Sequence, residues 1–323
     1  MIQHGNEHEG AGLYVDREVD AKIENCVFTK NNASYGGGGL YVNQYAVATF
    51  ANCSIIDNTA VSGGGAYIQW YGATANFINC VFVGNTSSND GGAACICRFN
   101  TKGSFINCTI AGNSANRGTG IFFAGTQDGE YVLEDHVVQN SIIAFNSGEE
   151  VFGNYVADSS LIGQDPGFVV APIFQDGKLV NLDQIDLRIA DATSPAVNAG
   201  DNSVVTTETD IVGAARINGD VVDLGAYEYQ LIISNALLDD FHAIPIFNGQ
   251  AEPSRPVAPL YGEREHMKVA CQICDDLALP YAVADYKVET NSDAKPTRSE
   301  AALLDSAFEE LGDESLEENW FAF

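Results

Sequence analysis

The sequence predicts an all-β fold: a right-handed, single-stranded parallel β-helix with about 27 residues per coil, followed by a mostly irregular acidic extension that contains one short helix. Three observations carry this reading. A phrase of Asn, a small residue and apolar residues recurs as Asn25-Cys26-Val27-Phe28, Asn52-Cys53-Ser54-Ile55, Asn79-Cys80-Val81-Phe82 and Asn107-Cys108-Thr109-Ile110, with a degenerate copy at Asn140-Ser141-Ile142-Ile143. The leading asparagines are spaced 27, 27, 28 and 33 residues apart, and a second set follows in phase at Asn31, Asn58, Asn85, Asn113 and Asn146. A Gly-rich phrase keeps the same register at Gly12-Leu13-Tyr14-Val15, Gly39-Leu40-Tyr41-Val42, Gly65-Ala66-Tyr67-Ile68, Ala93-Ala94-Cys95-Ile96 and Gly120-Ile121-Phe122-Phe123.

Each unit holds short β-rich runs bounded by Gly and Asn, with no helix-length segment between them. A repeat of this length divides into three short strands and three turns, one coil of a triangular solenoid. Each strand then hydrogen-bonds to its equivalents one coil away, at a spacing of about 4.8 Å. Strand alternation assigns the side chains. Leu13, Leu40, Ala66, Ala94 and Ile121 stack inward, as do Val15, Val42, Ile68, Ile96 and Phe123, and the residues between them (Tyr14, Tyr41, Tyr67, Cys95, Phe122) point outward. In the other phrase Ile23, Phe50, Phe77 and Phe105 face inward before the turn. Cys26, Cys53, Cys80 and Cys108, then Phe28, Ile55, Phe82 and Ile110, do so after it. The side-chain parity changes at Asn25, Asn52, Asn79 and Asn107, which reads as a ladder of turn-makers, because Asn tolerates left-handed backbone at a bend.

The composition narrows the function. Hydrophobic residues make up 46% of the chain, enough for a substantial core. The 44 acidic residues outnumber the 15 basic ones, and a net charge of −29 argues against nucleic acid and anionic membrane surfaces as partners. It leaves divalent cations and basic partners open. No run is apolar for long enough to be a transmembrane helix, and Met1 leads into Gln3, His4 and Gly5 without a secretion leader. Because the chain opens inside a repeat, it reads as a fragment, or as a chain with a misassigned start, that lacks upstream coils.

These phrases resemble bacterial right-handed β-helix proteins of the polymorphic outer-membrane and choice-of-anchor Q types. The second resemblance rests on Asp165-Pro166-Gly167-Phe168, Asp186-Leu187-Arg188, the run Ser194 to Asp201, then Asp210, Gly213, Arg216 and Asp223-Leu224-Gly225-Ala226-Tyr227-Glu228. It implies a secreted or cell-surface solenoid, adhesin-like and often with an unknown ligand, and implies no shared reaction.

Three parts follow along the chain. Residues 1–150 are coils, with an insertion from Thr126 to His136 in the last. Residues 151–230 are terminal coils and a C-terminal cap over the open core. Residues 231–323, with 18 acidic and 6 basic residues and six prolines, are linker or tail. Within the tail, a capping box at Thr297 and Glu300 and the apolar face of Ala301, Leu304, Phe308 and Leu311 predict a helix near 298–311 that docks on its own solenoid or on a protein partner.

The candidate binding residues sit just after the Gly-rich strand, where Gln44-Tyr45, Trp70-Tyr71 and Arg98-Phe99 align along one edge beside the Tyr41 and Tyr67 column. Flat rings with polar neighbours suit the apolar face of a sugar, so Tyr41, Tyr45, Tyr67, Trp70, Tyr71, Arg98 and Phe99 form a candidate site for a polysaccharide or surface glycan. The alternative is that outward aromatics only stack on each other. Asp201, Asp210 and Asp223, separated by Gly and Asn, could bind Ca²⁺ or could serve as structural ion-pair partners, with Asp223 facing Arg216. No cofactor is required. The ladder cysteines read as small hydrophobes. Cys95 and Cys97 share an outward strand face, and Cys271 and Cys274 form a CxxC open to a disulfide, metal or redox role. A carbohydrate-active enzyme, either a polysaccharide lyase or a glycoside hydrolase with its site on a strand face, is the alternative to a scaffold. It would need a base or stacked carboxylates there, and Asp16, Glu18 and Asp20 have no equivalents in the next two coils.

Overall fold

A computed structural model describes residues 1–98, 100–124 and 136–230, and residues 1–230 form one compact unit. The unit is a parallel β-solenoid with no α-helix among the described residues. The predicted helix near 298–311, the pair Cys271 and Cys274, Phe99 and most of the 126–136 insertion lie outside those residues.

Three long parallel sheets wall the core. Sheet 1 stacks Leu13–Val15, Leu40–Val42, Ala66–Gln69, Ala94–Cys97, Ile121–Phe123 and Val151–Phe152. Sheet 2 stacks Asp20–Glu24, Val47–Ala51, Thr74–Ile78, Lys102–Ile106, His136–Gln139 and Val156–Asp158. Sheet 3 stacks Ile2–Gln3, Val27–Thr29, Ser54–Ile56, Val81–Val83, Thr109–Ala111, Ile142–Ile143 and Leu161–Ile162. The register is the one the repeat predicts: Phe77 pairs with Phe50 and Phe105, and Ile68 with Val42 and Ile96. A fourth, narrower sheet of Asn6–Glu9, Asn32–Gly36, Thr59–Ala60 and Thr86–Ser87 corrects the count of three strands per coil. The chain between the second Asn and the Gly-rich turn is long enough to pair as well.

The inward columns form the main core cluster, and most of their members are buried. Phe50, Phe77 and Phe105 stack at 5.1 and 4.9 Å between ring centroids. Each such ring contributes about 1.5–3 kcal/mol by leaving water. Cys53, Cys80 and Cys108 are fully buried, and each thiol donates to backbone carbonyls of its own coil and the preceding one, as Cys80 does to Ile78 and Phe50 at 3.3 Å. The degenerate fifth copy keeps this bond through a hydroxyl: Ser141 Oγ donates to Phe105 O at 3.1 Å. Burial and the adjoining thiols push Cys53 and Cys80 well above the ordinary thiol range. Asn25, Asn52, Asn79, Asn107 and Asn140 all adopt left-handed backbone, with φ between 47° and 55°.

The second set of asparagines forms a continuous buried amide ladder. Asn58 Oδ1 accepts from the backbone N–H and Nδ2 of Asn31, Asn85 Oδ1 from both donors of Asn58, and Asn113 Oδ1 from both of Asn85, all at 3.0–3.1 Å. Each amide nitrogen also donates to a carbonyl of the preceding coil, as Asn85 Nδ2 does to Ile55 O at 2.8 Å. The ladder ends at Asn146, whose amide donates to the Glu150 carboxylate. Burial raises the Glu150 carboxyl above its ordinary range, and the donors from Asn146 oppose that rise.

The expected cap is instead a lateral cover. Residues 151–162 complete a short last coil. Phe168, Leu187, Ile189, Ala196, Leu224 and Ala226 then pack against the outward residues Val81, Val83, Ala111, Ile142 and Leu161 of sheet 3. Asn140 clasps this cover by donating to Asp201 O at 2.9 Å and accepting from its N–H at 2.8 Å. Where the cover crosses the solenoid the corner residues are Gly84 and Gly112, both at φ 70°. A Cβ on Gly84 would lie 2.7 Å from Leu182.

Removing one rung tests the ladder. Asn85→Ala strands the donors of Asn58 and the carbonyl of Ile55 in the core, and is expected to cost about 3 kcal/mol or more in urea unfolding. An Asn32→Ala control at the exposed neighbour of Asn31 should shift the midpoint little.

Candidate functional site

The corner between sheets 1 and 2 carries the exposed aromatic residues. Four residues separate Val15 from Asp20 and Val42 from Val47 in the first two coils, whereas five separate Ile68 from Thr74 and Ile96 from Lys102. The corner is left-handed in the shorter coils as well as the longer ones, with Glu18 at φ 59° in the first. Tyr45 has φ 57°, Trp70 74°, Tyr71 29° and Arg98 74°. A bulky side chain in this region costs about 1–2 kcal/mol, and Gly or Asn would serve the bend better.

The side chains make a continuous strip across three coils. Tyr45 and Tyr71 lie 6.2 Å apart between centroids and Tyr71 and Trp70 6.1 Å, both pairs tilted by 26°. The Arg98 guanidinium lies 4.5 Å over the Trp70 ring, a cation–π contact. Tyr45 is 53% exposed and Tyr71 43%, Arg98 is exposed and Trp70 is half-buried. Phe99, predicted to extend the strip, lies outside the described residues.

Tyr41 and Tyr67 do not join it, which corrects the reading of both as ligand contacts. They point out of the main core as predicted, but only 1% and 4% of their surface is exposed. The solenoid bends concavely between the narrow sheet and sheet 1, and their rings fill that angle with Cys95, Cys97, Phe122 and Tyr35 as a second apolar cluster. Tyr41 stacks on Tyr14 at 5.0 Å and meets Tyr67 edge-on at 5.5 Å. The hydroxyls are used too: Tyr41 donates to Gln69 Oε1 at 3.0 Å, and Tyr67 accepts from the Cys97 thiol at 3.3 Å. Burial pushes both phenols up. A Cβ on Gly36 would lie 2.2 Å from the Tyr67 ring, so this glycine is what lets the ring lie on the backbone. The run Gly36 to Gly39 is visible in the sequence, but a one-dimensional pattern does not show which ring a glycine must admit.

Asp201, Asp210 and Asp223 are engaged by the backbone. Asp201 caps a short 3₁₀ turn by accepting from Ser203 N at 2.8 Å. Asp210 accepts from Val212, Ala214 and Glu228 N–H groups at 2.8–3.1 Å, and Asp223 from those of Asn198 and Tyr229. Among the described residues no three His, Cys, Asp or Glu side chains are placed to hold a metal ion together. The expected Arg216 contact exists in another form: the 1% exposed guanidinium donates to the Asp223 and Gly225 carbonyls at 2.9 and 2.8 Å and lies 3.7 Å from Glu228. Glu228 belongs to the same acidic group in the sequence, and the structure gives it a structural role. Its carboxylate accepts from Asn218 and Asp223 N–H groups, and burial, with Asp223 adding, pushes it up to about 7.

Residues 4–161 match the family model described as a right handed beta helix region. No curated protein and no solved structure matches the chain.

The buried acids of the cover give it a pH dependence. The folded Glu228 carboxyl titrates at about 7, above its ordinary value of 4.5, so its contribution is full below pH 4.5 and is lost as pH rises through about 7. Asp223 is raised by burial and acts in the same sense. Unfolding by urea is expected to show stability declining from pH 5 to pH 7.5, with a shallower decline in Glu228→Gln.

Proposed function

We propose that this right-handed β-helix repeat protein is a non-enzymatic scaffold, secreted or displayed at a bacterial cell surface, that holds a polysaccharide along the corner strip of Tyr45, Tyr71, Trp70 and Arg98. The observation that carries this reading is the placement of four bulky side chains in left-handed backbone at one corner of successive coils. Strained positions of this kind persist where the surrounding structure enforces them and gather at functional sites. Nothing in the solenoid needs an aromatic residue there: the equivalent corner of the first coil is turned by Arg17 and Glu18. The strip is rigid, half-exposed and edged by polar groups, and it runs along the solenoid, as a chain of sugars would.

The outward strand faces favour binding over hydrolysis. On sheet 2 the acidic residues Asp20 and Glu24 of the first coil are followed in register by Val47 and Ala51, then Thr74 and Ile78, then Lys102 and Ile106. On sheet 1 the outward positions are filled by the buried aromatic and thiol cluster. Neither described face stacks carboxylates in neighbouring coils, which a glycosidase pair would need.

Affinity electrophoresis of the whole chain in gels of neutral and acidic polysaccharides, with and without Ca²⁺, tests the proposal. A Trp70→Ala, Tyr71→Ala variant is expected to lose retention by about tenfold or more. Unchanged retention in that variant would remove the strip as the site. Release of reducing or unsaturated ends above a heat-killed control would replace the scaffold with an enzyme.

A further inference from the structure

A cavity of about 270 Å³ opens between the first two coils, at Thr29, Lys30, Ile56 and Asp57, and the edge of the lateral cover. Its floor is the outer face of sheet 3 at Ser54 and Ile56, with the buried Val81 and Val83 beside them, and its wall is the cover at Leu182 and Tyr227. Lys30, Asp57 and Asp183 line the same cavity. Lys30 and Asp57 occupy the left-handed corner, at φ 55° and 54°, that Gly84 and Gly112 occupy under the cover. In the first two coils that position carries a charged side chain that lines the cavity.

We propose that this cavity binds a small primary amine bearing an apolar side chain, with its hydrocarbon part on Ile56, Leu182 and Tyr227 and its ammonium between Asp57 and Asp183.

The charges point to a cation. Asp186, also at the cavity, is already held by Arg188, whose Nε donates to it at 2.9 Å. Lys30 faces Asp57, and Asp183 lines the same cavity. Burial raises the Asp57 carboxyl, Lys30 opposes the rise and the Asp183 charge adds to it, so the two carboxylates repel each other across the opening. An incoming ammonium relieves that repulsion. The apolar floor and wall supply the contact that distinguishes an amine with a side chain from a bare cation. The volume limits the buried part to about one residue or one small molecule, below the usual range for drug-sized ligands.

Saturation-transfer NMR of leucinamide with the full chain tests this, with N-acetyl-leucinamide as the uncharged counterpart. Leucinamide is expected to bind and its acetylated form not to. Asp57→Asn with Asp183→Asn should weaken binding about tenfold or more, and Asn at position 57 keeps the left-handed corner. Glu7→Gln with Glu18→Gln removes the same charge from exposed sites and should leave binding unchanged. Equal loss in both double variants would reduce the effect to diffuse attraction by a chain of net charge −29, and equal binding of the acetylated form would reduce it to apolar contact. Either result, or no transfer at all, overturns the proposal. Leu-Gly-Gly-amide separates the sources: binding as tight as leucinamide assigns the amine to a peptide terminus, and exclusion assigns it to a free small molecule.

Discussion

Each coil of this protein must present to the next an identical row of backbone donors and acceptors, and the buried amide ladder from Asn31 to Asn146 is where that requirement is met inside the core. An asparagine there satisfies its own side chain, the N–H of the previous rung and a carbonyl of the preceding coil. Few other side chains offer a donor and an acceptor at the right reach. Once the rungs are in place, the strands on either side have one register. The columns of Phe, Ile and Cys then follow, because a slip of one residue would turn every inward side chain outward. The coil can vary in length only between rungs. The single added residues in the third and fourth coils and the insertion before His136 therefore fall at the same corner.

That corner is also where chemistry can be added with least disturbance. Residues facing inward are held by stacking, and the outward face of sheet 1 is closed by the tyrosines and thiols in the concave angle. The outward face of sheet 3 is covered by residues 168–226. What remains open is the turn between sheets 1 and 2, the face of sheet 2, and the part of sheet 3 that the cover does not reach. The strip and the amine cavity occupy the first and last of these, so the two proposed sites lie on separate surfaces and fail or stand independently.

The lateral cover shelters the outer face of sheet 3 with segments that form no α-helix among the described residues. Sheet 3 turns Val81, Val83, Ala111 and Ile142 outward, and leaving such a row in water would expose a patch of the kind that recruits another chain. The cover buries it and is itself pinned by short-range polar contacts. The Asn140 amide holds Asp201, the Thr109 hydroxyl accepts from Ala226 N–H at 2.8 Å, and the Arg216 guanidinium crosses to two carbonyls. The three carboxylates around that arginine receive backbone N–H groups, so they serve as turn-makers for a segment with little regular secondary structure.

The sequence by itself determined the period, the inward columns, the left-handed asparagine corners and the alignment of Tyr45, Tyr71, Trp70 and Arg98. All of these follow from local backbone geometry repeated at fixed intervals, and Lys30, Asp57, Gly84 and Gly112 could be aligned the same way. Only the tertiary structure decided what lies against each outward surface. Tyr41 and Tyr67 obey the alternation rule and are still buried, because the narrow fourth sheet folds the chain over them at Tyr35 and Gly36. Val81 and Val83 obey it too and are buried by residues about a hundred positions away. Alternation states which side of a strand a residue occupies, and exposure depends on what long-range packing brings to that side. For the same reason the third and fourth coils carry glycine at the corner where the first two carry Lys30 and Asp57: a Cβ on Gly84 or Gly112 would meet Leu182 or Pro172 of the cover.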